Sequence, residues 1–107
     1  MKTTLLILAT AALAASLPVH ATGNYEAGKA KSTTCAGCHG PDGNSTVPSF
    51  PKLAGQHRDY LLQALHEYKT GKRTNPIMGG QVQALSDGDM QDLATYFSEQ
   101  KGLTLKY

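Results

Sequence analysis

The chain holds two cysteines, and both fall within one pentapeptide, Cys35-Ala36-Gly37-Cys38-His39. Four chemistries use thiols at this spacing. A Cys35–Cys38 disulfide would close only a tiny loop and restrain the unfolded chain little. A thioredoxin-like redox pair belongs in a βαβ unit, and no strand pattern is present. A structural zinc takes four ligands, and two Cys with one His leave one position unfilled. The remaining chemistry is attachment of a c-type haem, for which C-x-x-C-H is the sequence signature. Each thiol adds across one vinyl group, and the histidine after the second Cys is held under the iron. Cys35 and Cys38 are therefore the expected thioether residues and His39 the expected axial ligand.

The sixth position of such an iron is either closed by a second side chain or left open for chemistry. Met1 falls at the start of an apparent leader, which leaves Met78 and Met90. Met90 lies on the apolar stripe of a predicted helix and reads as core. Met78 stands in "NPIMGGQ", a Gly- and Pro-flanked segment read as a loop, where a thioether has no helix face to serve. Met78 is the expected second ligand. His57 and His66 read as solvated histidines at the start and on the polar side of a helix, and His20 falls in the leader.

These side chains need a scaffold, and the composition supplies a thin one. The sequence has no Trp, two Phe (Phe50 and Phe97) and 11 Gly in 107 residues. Domains this small bury a modest core and commonly add a staple. A covalently fixed macrocycle would provide the missing apolar mass.

The predicted elements are helical. "NYEAGKAKSTT" reads as a short helix with Asn24 as N-cap and Tyr25, Ala27 and Ala30 as its apolar face. Residues 37–55 read as one long loop, a length that in a compact domain is usually functional. In "RDYLLQALHEYKTGKR", Tyr60, Leu61, Leu65 and Tyr68 repeat at helical spacing and Gly71 is the stop. In "SDGDMQDLATYFSEQKG", Ser86 and Asp89 have capping-box spacing, Met90, Leu93, Ala94 and Phe97 form the stripe, and Gly102 ends the helix. The expected fold class is all-α.

The amino terminus has its own pattern. Lys2, an apolar run from Leu5 to Leu17 and the small-x-small end Val19-His20-Ala21 match a secretory signal. The run is short of the ~20 apolar residues of a comfortable span. The expected division is a signal at 1–21 and one monohaem domain at 22–107, in the periplasm after cleavage near Ala21, with an uncleaved anchor as the alternative. Ten Lys and Arg, one of them Lys2, stand against eight Asp and Glu. That near-neutral balance argues against a nucleic-acid binder, which needs a concentrated basic face.

The motifs "CAGCHG", "PSFPKLAGQ", "YLLQAL", "NPIMGG" and "LSDGDMQDLATYF" together resemble the small class I c-type cytochromes, most closely their bacterial c4/c553-like branch. The likeness covers the whole of 22–107. It implies three to five short helices wrapped around one covalently bound haem c, with the first and last helices crossing. Gly28 would meet Tyr96 there, with Leu93 beside it. It also implies Cys35 and Cys38 as thioethers, and His39 and Met78 as axial ligands. Pro51 would supply a backbone carbonyl to the proximal imidazole, Pro48 being the alternative. With a single C-x-x-C-H, the chain departs from the tandem dihaem form.

The function implied is a soluble periplasmic carrier of single electrons and not an enzyme. Its partners would be redox proteins such as respiratory reductases or oxidases, with no nucleic acid, no membrane span in the mature form and a monomeric state. The alternative is a haem subunit docked to a larger oxidoreductase. A haem that binds and reduces a small molecule would need an open sixth position and an acid–base pair, which the distal side does not offer. Lys69, Lys72 and Arg73 could form a basic rim or merely a solvated helix end.

Overall fold

The computed structural model describes residues 23–106, with Ala11 alone upstream; the expected signal at 1–21 lies outside the described stretch. Five α-helices and no strand are found among the described residues: α1 (Tyr25–Lys31), α2 (Thr33–His39), α3 (Arg58–Thr70), α4 (Pro76–Val82) and α5 (Asp87–Ser98). The all-α expectation holds.

Capping defines most of the boundaries. The Asn24 side chain accepts from Ala27 N at 2.9 Å, and Lys29 and Lys31 fall in the last turn of α1, where cations suit the helix dipole. At α5, Ser86 Oγ accepts from Asp89 N at 3.1 Å while Asp89 Oδ2 accepts from Ser86 N at 3.0 Å. This reciprocal box satisfies two otherwise orphaned donors. Gly71 ends α3 in the left-handed region at φ 82°, a conformation that costs glycine least.

Three boundaries differ from the sequence expectation. The segment read as one helix through Thr34 is two helices meeting at Ser32, and the second continues through Cys35 and Cys38 to His39. Its start is covered because Ser32 O accepts from both Cys35 N and Ala36 N, at 2.9 and 3.0 Å. The Met78 segment is not a loop but the short helix α4. The Asn75 side chain caps it by accepting from Ile77 N and Met78 N, and Pro76 opens it. Proline is well placed at a first helical position, where its missing N–H would have had no partner. Finally, α5 stops at Ser98, four residues before Gly102.

The core is built on α5. Leu61, Leu93, Ala94, Tyr96 and Phe97 form the buried cluster, with Tyr25, Cys35, Leu53, Leu62, Leu65 and Leu85 packed partly buried against it. Met90, 1% exposed, is the core residue its stripe implied. Tyr60 is the exception: it is 47% exposed and lies outside that core.

α1 and α5 cross at Gly28. A Cβ built there would fall 2.1 Å from Asp92 O and 2.8 Å from Tyr96 Cβ, so only glycine permits the approach. Tyr25 and Tyr96 face each other beside the crossing with ring centroids 5.3 Å apart. Lys31 Nζ closes the seam, 2.9 Å from Asp89 Oδ1 and 2.5 Å from Asp92 Oδ2. Asp92 Oδ1 also accepts from Asn24 N at 2.7 Å. The Ser86 amide, then Lys31, hold the Asp89 carboxyl down to about 2. Asp92 is held low by the Asn24 amide and then by Lys31.

Candidate haem site

Residues three apart share a helix face, so making 35–39 helical sets both thiols on one side of α2, followed at once by His39. Both cysteines are free and half-buried. Cys35 packs against the core cluster, and that burial pushes its thiol up, partly offset by a hydrogen bond with Thr34.

His39 is 6% exposed. Its Nδ1 lies 2.7 Å from the carbonyl oxygen of Pro51. A carbonyl can only accept, so Nδ1 carries the proton and the lone pair of a neutral ring is on Nε2. Of the two prolines considered, Pro51 has this contact. Pro48 is exposed three residues earlier, on the same shallow recess as Pro51, with Val47 and Phe50 among its walls.

Met78 is half-buried near the start of α4, next to Ile77, which is 56% exposed. Gly79 and Gly80 follow, and a Cβ at either would meet nothing within 4 Å. α4 packs against α3. His57 is exposed, and exposed His66 has Nε2 3.7 Å from Asp87 Oδ1. Among the described residues no three His, Cys, Asp or Glu side chains converge as a metal cage.

The donor set suits haem c. Two unpaired thiols stand one turn apart, and the adjoining imidazole has one nitrogen engaged and the other available. A thioether lies on a separate helix.

The supposed basic rim is largely spent within the fold. Lys69 Nζ donates to Leu85 O. Arg73 Nε lies 3.2 Å from Glu67 Oε2, and its guanidinium sits 5.7 and 5.5 Å from the rings of Tyr60 and Tyr68. Lys72 is exposed near Glu67, whose carboxyl is held low by Gln63 first, then Arg73 and Lys72. This ion-pair and aromatic cluster also explains why Tyr60 faces outward.

Sequence reasoning missed two hydrogen bonds around the histidine. The Tyr96 hydroxyl donates to Pro41 O at 2.9 Å, gripping the chain just beyond His39. Asn44 Nδ2 donates to Lys101 O at 2.8 Å. Capping boxes and stripes are local patterns, whereas these partners lie 55 and 57 residues apart.

A helical shell with a helical C-x-x-C-H segment, a carbonyl-bound histidine and a methionine on a separate helix has the features of a c-type haem protein. The family model described as Cytochrome c matches residues 25–101, and the chain belongs to that family. Cytochrome c4 of Pseudomonas aeruginosa is 54% identical over 82 residues, which cover 77% of this chain and 41% of that protein. Cytochrome c-554(548) of Halomonas halodenitrificans is 39% identical over 82 residues, covering 74% of this chain and 99% of that protein. The crystal structure of reduced recombinant cytochrome c4 from Pseudomonas stutzeri superposes with a TM-score of 0.72 at 47% identity, over 76% of this chain and 47% of that one. The chain spans less than half the length of the cytochrome c4 relatives it matches. The family and these relatives bring with them a covalently bound haem c.

Proposed function

We propose that the protein is a soluble periplasmic carrier of single electrons and not an enzyme. Cys35 and Cys38 hold one haem c through thioethers, and His39 and Met78 are the axial ligands of its iron. Pro51 fixes the His39 ring. The bound haem supplies a one-electron couple, which a His/Met ligand pair sets at a raised potential.

The observation that carries this reading is the 2.7 Å contact between His39 Nδ1 and the Pro51 carbonyl, at a histidine directly following two free thiols. It aims one imidazole nitrogen at the protein and leaves the other for iron. Residues 71–86, which surround Met78, contain no His, Asp or Glu. A distal acid–base pair for small-molecule chemistry would have to come from elsewhere. No helix among the described residues is long and apolar enough to cross a membrane. Residues 1–21 act as a cleaved signal in this proposal, and mass spectrometry of the exported protein is expected to start at Thr22.

The visible spectrum of the reduced protein with and without carbon monoxide tests the carrier reading. It is expected to remain unchanged, because Met78 closes the sixth position. A large shift would show an open site and reverse the assignment.

A second reading has support among the relatives. One, from Chlorobaculum tepidum, is named a cytochrome subunit of sulfide dehydrogenase and is 37% identical over 70 residues. A permanent subunit would elute from native extract at the size of a complex; the carrier proposed here elutes as a monomer.

A further inference from the structure

Pro51 belongs to a loop whose two ends are pinned together. At its neck, Gly43 O accepts from Leu53 N at 2.8 Å and from Ala54 N at 3.2 Å. Gly43 has φ 83°, and a Cβ there would sit 2.8 Å from Phe97 Cδ1 and 2.9 Å from Ala54 N. Between the ends, residues 43–54 make a compact surface loop of the Ω kind.

The last stretch of the chain straps this neck from outside. Leu103 N donates to Ala54 O at 2.8 Å, and Gly55 N donates to Phe97 O at 3.0 Å. Asn44 Nδ2 reaches Lys101 O at 2.8 Å. Gly102 lies so close that a Cβ would fall 2.6 Å from both Ala54 Cβ and Asn44 Oδ1. Asn44 also bonds backwards, to both carboxylate oxygens of Asp42 at 3.0 and 2.9 Å. The chain leaving His39 and the chain returning after Pro51 are thus fastened to one tail.

We propose that Asn44 and Gly102 are positioning residues for the axial histidine: they hold the loop neck against the 101–103 tail and thereby keep the Pro51 carbonyl on His39 Nδ1. The inference rests on the axial role of His39 proposed above. Pro51 lies two residues before Leu53, so slack at the neck is passed to its carbonyl with little chain to absorb it. A carbonyl accepting from the far nitrogen of a ligating imidazole raises that ligand's basicity. A more basic ligand favours oxidised iron, so loosening the strap raises the reduction potential.

Two variants attack the strap by different chemistry in the haem-loaded protein. Asn44→Ala removes the donor to Lys101 O, while Gly102→Ala inserts a methyl where Ala54 and Asn44 leave no room. Ser86→Ala is the control, since it removes the α5 cap without touching the strap. The readouts are the potential and the NMR exchange rate of the His39 Nδ1 proton. Both strap variants are expected to raise the potential and to speed exchange by about five- to tenfold, as for a weakened hydrogen bond. Ser86→Ala is expected to lower stability and move neither readout. Unshifted potential and exchange in the strap variants, or equal shifts in the control, would overturn the proposal. Asn44→Gln keeps both donors on a longer stem and is expected to give a smaller shift of the same sign, which secures the test if Asn44→Ala does not fold. The wild type is measured first: a His39 ring whose proton resonances carry no haem ring-current shift defeats its axial assignment, whereas ring-shifted His39 resonances with unmoved variants defeat only the strap.

Discussion

The two methionines of the described chain have opposite surroundings, and substitution separates their roles. Met90 is sealed inside α5 at 1% exposure. Met90→Ala is expected to cost about 2–5 kcal/mol of stability, the range for truncating a buried methionine, with the reduced protein still unresponsive to carbon monoxide. Met78→Ala is expected to do the reverse: carbon monoxide binds, the potential falls because the thioether raised it, and melting changes less. Equal carbon monoxide responses would remove Met78 from the iron. Cys35, Cys38 and His39 were legible as a unit because their chemistry is written in adjacent positions. Pro51 came only through resemblance, since nothing in "PSFPKLAG" says which carbonyl turns towards a ring twelve residues earlier. Asn44 and the Tyr96 hydroxyl were illegible, their partners being more than fifty residues away.

Among the helices, those with a long apolar stripe beside a recognised start or stop signal were the most readable ones. α3 and α5 carry both a stripe and a start or stop signal. α2 and α4 have seven residues each, too few for a period to show, and their glycines look like loop. Asn75-Pro76 was the overlooked signal for α4, an N-cap followed by a first-turn proline. Gly28→Ala is expected to destabilise the α1–α5 crossing by about 1–3 kcal/mol, as overpacking does. Melting should fall about 4–8 °C per kcal/mol in a domain this small. An unchanged melting temperature would contradict the contact with Asp92. The same seam has an acid limit. Asp89 and Asp92 are held below their ordinary values in the folded state, so their contribution is fully present above pH ~4, where unfolded carboxyls are ionised. It is lost as pH falls through the folded values, about 2 for Asp89. Lys31→Met is expected to flatten the fall in melting temperature between pH 5 and pH 2; an undiminished fall would place the acid sensitivity elsewhere.

Across the whole molecule, charge is nearly balanced and much of it is paired within the fold. With Lys69 and Arg73 engaged internally, electron exchange with a protein partner is expected to slow by less than about tenfold from low to physiological salt, because steering requires a concentrated field. A steeper dependence, by stopped-flow spectroscopy, would reveal a charged docking face assembled from other residues. The helix pairing that closes the molecule also imposes a chronology. α1 finds its place chiefly against α5, whose Asp92 lies 68 positions from the Asn24 amide it receives. A chain emerging from its amino terminus therefore shows its two thiols well before the last helix exists to pack near them. The crossing cannot close until the end of α5 has arrived, so the interval before it leaves the thiols of α2 open to the group proposed to attach there.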